Sequence, residues 1–149
     1  MINGLQTEKL HQDESLSIEV DRKLNLLFTR WLRHPSSEEF RRSLTLAADY
    51  VCDLECRYWL SDARKLYYME LADQNWLVST MIPKINPYVA RFARVMTEEG
   101  LSMLDMQRIK HKIEEEQKIA EANTRVEIFL DAESATEWLL QHYDFNRRI

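Results

Sequence analysis

The chain has 149 residues, 45% hydrophobic and 30% charged, with a net charge of −5 and an isoelectric point near 5.4. That length suits one domain with a sizeable core, and the composition is that of a folded protein, not a disordered one. The acidic balance, with no polybasic run, argues against general nucleic-acid binding and against attraction to anionic membranes.

Taken in chain order, residues 1–14 are polar and aperiodic and are expected to form a flexible arm, with a single domain over 15–145. In SLSIEVDRKLNLLF, Leu16, Ile18 and Val20 alternate with polar neighbours, and Leu24, Leu26 and Phe28 do so after Asp21-Arg22-Lys23. Period-two alternation on both sides of a short polar break predicts a β-hairpin, although the break lacks an Asn-Gly or Asp-Gly pair. Ser36 with Glu39 three residues on is a capping box, and Phe40, Leu44, Ala47, Val51 and Leu54 follow at helical spacing.

RYWLSDA predicts a short aromatic strand ending near Asp62. LADQNWLVSTMI predicts a helix running to Pro83, with Asp73 as its N-cap and Pro87 as a second break. YVARFARV reads as another strand. Residues 102 to about 121 read as a long charged helix, with Met103, Met106, Ile109 and Ile113 on one side and Lys110–Glu114 and Glu114–Lys118 pairs at i,i+4. RVEIFLD is a last strand, and Asp131 caps a closing helix over AESATEWLLQHY.

The order β-β-α-β-α-β-α-β-α implies an α/β fold, a mixed and mostly parallel sheet of about five strands with an opening hairpin and about four helices. With the stretches YWLSDARKL…DQNWL and VEIFLDAESATEWLL, this order resembles the SpoIIAA-like branch of the STAS superfamily, among the small STAS/CRAL-TRIO-like bacterial proteins. The closing helix carries the Ala-x-x-Trp-Leu pattern at Ala135, Trp138 and Leu139. The resemblance implies a non-enzymatic interaction or regulatory module. Its best-known members are switched by phosphorylation of a serine in an Asp-Ser-Ser-Gly-Leu motif. The corresponding stretch here, Ala72-Asp73-Gln74-Asn75-Trp76-Leu77, has no serine and no glycine, so the switch does not carry over.

Other chemistry is poorly supported. The chain's two glycines, Gly4 and Gly100, leave no Walker loop or dinucleotide fingerprint, because phosphate cradles need glycine where backbone meets ligand. Cys52 and Cys56 form no disulfide framework and lack companions for a metal, so they read as buried small hydrophobes. Ser61 beside Asp62 lacks both a histidine partner and the glycines of a nucleophile elbow. No apolar run reaches the roughly 20 residues of a membrane span, and MINGLQTEKLHQDE has no signal-peptide core. A cytoplasmic location is expected.

The remaining candidate is the chemically rich stretch after the RYWLSD strand. In open α/β sheets ligands sit beyond the carboxyl ends of the strands, which would gather Asp62, Arg64, Tyr67, Tyr68, Asp73 and Trp76 into a partner or ligand surface. The plainer expectation is that Asp62 and Arg64 pair with each other or cap neighbours while the rings cover the sheet edge. The sequence thus predicts a non-catalytic protein-binding module with no cofactor, no metal and no nucleic-acid partner. Surplus apolar residues in WLVSTMI predict a homodimer. The alternative, from the CRAL-TRIO side of the resemblance, is a carrier for a small apolar ligand, lined by Trp76, Phe92, Met96 and Met103.

Overall fold

The computed structural model of the chain describes residues 4–102, 115 and 124–143. Its centre is a six-stranded sheet in chain order: β1 (Glu8–Gln12), β2 (Leu16–Asp21), β3 (Leu26–Trp31), β4 (Tyr58–Asp62), β5 (Arg91–Val95) and β6 (Arg125–Phe129). β1, β2 and β3 pair antiparallel, whereas β3, β4, β5 and β6 pair parallel. The helices are α1 (Ser37–Leu54), α2 (Leu71–Trp76), α3 (Ile82–Ile85), α4 (Glu98–Ser102) and α5 (Ala132–Leu139), with a π-helical turn over Leu77–Met81 joining α2 to α3. The expected α/β class with a mostly parallel sheet and an opening hairpin is present.

The hairpin aligns Leu16 with Trp31 and Asp21 with Leu26. Its turn needs no glycine, because Asn25 takes the left-handed conformation (φ 58°), which asparagine tolerates better than most residues. The Asp21 carboxylate accepts from the Leu24 N–H, and the Asn25 amide reaches the Glu55 carbonyl. α1 starts at the expected capping box, with both reciprocal bonds formed between Ser36 and Glu39. Such a cap contributes about 1 kcal/mol.

The crossovers from β3 to β4 and from β4 to β5 each advance one strand in the same direction. A constant crossover hand therefore lays α1 and the α2–α3 segment on the same sheet face. There Leu27, Trp59 and Phe92, in register on three strands, pack with Leu44, Ala47, Val51, Val78 and Met81. α5 follows the last strand and covers the opposite face, where Ala135 and Leu139 meet Leu26, Phe28, Leu60, Ala93 and Val95. Both faces of β3, β4 and β5 are thus covered, as parallel strands require.

Two elements depart from the sequence reading, and a third falls outside the described residues. Residues 8–12, expected within a flexible arm, form the edge strand β1, so the sheet has six strands where about five were expected. β1 is held by its ladder with β2, with a shift between Lys9 and His11. A polar edge strand paired on one side shows little apolar alternation. The second helix does not stop at Pro83: the chain stays helical to Ile85, and the Ile82 N–H bonds the Leu77 carbonyl five residues back. That wider turn precedes a proline that has no N–H to give to the turn before it. Finally, the long charged helix expected over 102–121, with Met103, Met106, Ile109, Ile113 and the Lys110–Glu114 and Glu114–Lys118 pairs, lies outside the described residues except at its start and residue 115. Among the described residues no helix is long and apolar enough to cross a membrane.

Candidate functional site

β3 and β4 both end at the same edge of the sheet. From β3 the chain passes His34 and Pro35 into α1, and from β4 it runs through residues 63–70 into α2. The two helix starts border a cleft of about 210 Å³ whose walls include His34, Ser37, Phe40, Tyr68, Met69 and Asp73. It lies where open α/β sheets place ligands, beyond the carboxyl ends of the strands.

Asp73 holds the two sides of this cleft together. It is not the N-cap of α2: that position is Glu70, whose side chain makes no capping bond, and Asp73 lies three residues further on. Its buried carboxylate instead accepts from the Ser37 hydroxyl and the Arg41 Nε, both at 2.8 Å. The sequence reading was displaced because a nearby acidic residue near a helix start looks like a cap, while its true donors stand more than thirty positions away. Trp76 continues the contact, edge-on to Phe40 with ring centroids 6.0 Å apart and with the Arg41 guanidinium 5.6 Å from its ring.

At the rim, His34 lies against two tyrosines. Its ring centroid is 4.3 Å from that of Tyr68 and 5.7 Å from that of Tyr67, and its Nδ1 accepts the Tyr67 N–H at 3.1 Å. Tyr67 is 56% exposed, Tyr68 49% and Leu71 61%. Of the large hydrophobic side chains exposed among the described residues, only Leu130 lies elsewhere.

Asp62 and Arg64 do not join this cleft. The Arg64 guanidinium grips the Asp62 carboxylate through two bonds of 2.9 and 2.7 Å, and the Arg64 N–H adds a third at 3.2 Å. That carboxylate holds the Arg64 pKa above its ordinary value. Asp62 is in register with Val95 and Phe129, which belong to the α5 side of the sheet. The plainer expectation for this pair is therefore met. Of the six predicted site residues, Tyr68 and Asp73 line the cleft, Tyr67 and Trp76 border it, and Asp62 with Arg64 stand apart.

His34, Ser37, Phe40 and Glu70 were not picked out as site residues. They sit in or beside an ordinary helix entrance, and only the fold brings that entrance to the tyrosines; no local pattern announces it. The residues proposed for an apolar pocket fare differently. Phe92 and Met96 are buried in the α1-side core, Trp76 packs on Phe40, and Met103 lies outside the described residues.

Other candidates acquire no chemistry. The Ser61 hydroxyl is buried and has no hydrogen-bond partner, so no base activates it. Burial pushes the Cys56 thiol up from 9.0 to about 11 and raises that of Cys52 as well, the reverse of what a reactive thiol requires. Among the described residues no group of three or more His, Cys, Asp or Glu could hold a metal ion. Compared with known proteins, the chain matches no family model, no curated sequence and no solved structure.

Proposed function

We propose that this protein is a non-catalytic interaction module whose partner docks on the rim of the cleft between α1 and α2. The observation that carries the reading is the clustering of Tyr67, Tyr68 and Leu71, all about half exposed or more, beside a concave surface with polar groups in its wall. Rigid aromatic side chains around a pocket bind at low entropic cost and are enriched at interface centres. The Asp73 clamp to Ser37 and Arg41 fixes both walls before a partner arrives, which reduces the ordering that binding must pay for.

The element order after β1, ββαβαβαβα with the α2–α3 segment counted once, is the one on which the resemblance to the STAS/SpoIIAA-like type rests. Docking would then be steric, with no phosphorylated serine, since Asp73 and its neighbours occupy the corresponding stretch. The reading also retains a homodimer, but on different grounds from WLVSTMI: Leu77, Val78, Met81 and Ile82 are consumed by the chain's own core. Among the described residues the aromatic rim gathers three of the four exposed large hydrophobic side chains and is the surface offered to a second copy or another protein.

Native mass spectrometry on the protein gently purified from its own cells tests this. Wild type should carry a defined second polypeptide or a second copy, and a Tyr67→Ser/Tyr68→Ser variant should lose it while keeping its unfolding midpoint. Wild type that runs as bare single chains, or a variant that keeps its partner, would overturn the proposal.

A further inference from the structure

β5 carries two buried arginines, Arg91 and Arg94, and the Nε of Arg94 has no hydrogen-bond partner among the described residues. Alternation along the strand puts Arg94 on the same side as Phe92, in the α1-side core. Arg94 is 5% exposed, and its Nε has no hydrogen-bond partner. Among the described residues no carboxylate pairs with it. In register beside it on β4 is Ser61, 1% exposed and also without a partner; neighbouring strands are about 4.8 Å apart. Next in the same row, on β3, is Thr29, which is already occupied by the Trp59 Nε1–H at 2.9 Å. Two residues beyond Thr29 on the same face, the buried Trp31 Nε1–H is a third group without an acceptor.

We infer that Arg94 and Ser61 form a buried binding site for the carboxylate of a small, largely apolar molecule. Arg94 and Trp31 can only donate and the Ser61 hydroxyl can donate as well as accept, so among the described residues the patch has more donors than acceptors and no anion. Burial brings the Arg94 pKa down only to about 10, so the guanidinium is still charged at neutral pH. An uncompensated buried charge is costly, and a water molecule satisfies its N–H groups without neutralising it. A carboxylate does both, and guanidinium matches it in a two-bond fork.

The chain's own acids on the adjoining strands face elsewhere. Asp62 is on the opposite face and held by Arg64, and Glu127 is in register with Ala93 on that same opposite face. One positive charge with neutral donors suits a monoanion, whereas a phosphate dianion would call for a second cation. The apolar neighbours Trp59, Phe92 and Ile128 on this face suit a ligand whose remainder is hydrocarbon. The site is distinct from the aromatic rim and does not depend on a protein docking there.

Thermal unfolding and isothermal titration of the full chain with sodium octanoate, sodium phosphate and sodium chloride test the assignment. Octanoate should raise the midpoint saturably and titrate at one site, while phosphate should act no differently from chloride. Ser61→Ala should weaken octanoate binding roughly tenfold, the loss of one hydrogen bond to a charged group. Arg94→Met should abolish binding, and Arg94→Lys should restore part of it. The titration of wild type stands even if a variant fails to fold. No saturable response to octanoate, a response to phosphate in its place, or octanoate binding that Arg94→Met retains would overturn the inference.

Discussion

Arg91 and Arg94 sit three residues apart on β5, are 7% and 5% exposed, and face opposite sides of the same sheet. On the α5 side the fold has built a complete receptacle for Arg91. Its Nη1 donates to the Trp138 carbonyl at 2.5 Å and to Gln141 at 3.2 Å, and its guanidinium lies 4.8 Å from the Trp138 ring centroid. On the α1 side Arg94 has Ser61 for a neighbour and no acceptor among the described residues. Two charges, equally buried by one strand, thus stand in opposite conditions: one is part of the fold's own bonding, the other awaits a partner of opposite charge. Burial alone does not tell a structural charge from a functional one; the inventory of its acceptors does.

The comparison breaks most sharply at Arg91. Arg91→Met should destabilise the protein by about 3 kcal/mol, since it removes the guanidinium's hydrogen bonds to the Trp138 carbonyl and to Gln141 and its stacking on the Trp138 ring. Arg94→Met, which removes a buried charge with no ion pair or hydrogen bond among the described residues, should leave the urea midpoint unchanged or raise it. Equal losses in the two variants would erase the distinction. Asp73→Ala extends the test to a buried anion with two donors: about 2 kcal/mol should be lost, with faster amide exchange across residues 71–81 as α2 loosens from α1.

A buried group that stays neutral gives a smaller effect, confined to high pH. The Cys56 thiol titrates at about 11 in the folded chain, against 9.0 as its ordinary value. Below pH 9 both states hold the proton and the contribution is full. Above it the unfolded chain releases the proton first, so stability falls by on the order of 1 kcal/mol per pH unit up to about 11. Cys56→Ala should flatten that slope in urea titrations between pH 8 and 11, and an unchanged slope would assign the loss to other groups. The smallest effect belongs to Arg64. Its side chain is 51% exposed while the Asp62 carboxylate it grips is buried, so Arg64→Ala, which leaves Asp62 the backbone N–H of that residue, should cost about 1 kcal/mol.

The division between what was legible and what was not follows the range of the interactions. The capping box at Ser36 and Glu39, the apolar stripe from Phe40 to Val51, the Asp131 cap of α5 and the alternation of Leu16, Ile18 and Val20 are each written within one or two turns of chain, and each is found in place. Asp73 was misassigned because its donors, Ser37 and Arg41, come from another helix. Pro83 was read as a stop because a π-helical turn, set by packing on the core, has no local signature. The Asp62–Arg64 pair was legible as a pair, but its side of the sheet was not.

The sequence by itself determined the class of fold, the first helix and its cap, the hairpin, and the exclusion of glycine-dependent nucleotide sites. These depend on periodicity, capping and backbone freedom, which act between neighbours along the chain. Only the tertiary structure decided that His34 meets Tyr67 and Tyr68, that Asp73 binds α1, and that among the described residues Arg91 has acceptors while the Arg94 Nε has none. Strand alternation says that two residues three apart point to opposite faces. Which helix covers each face, and whether it brings an acceptor, is set by how distant segments pack.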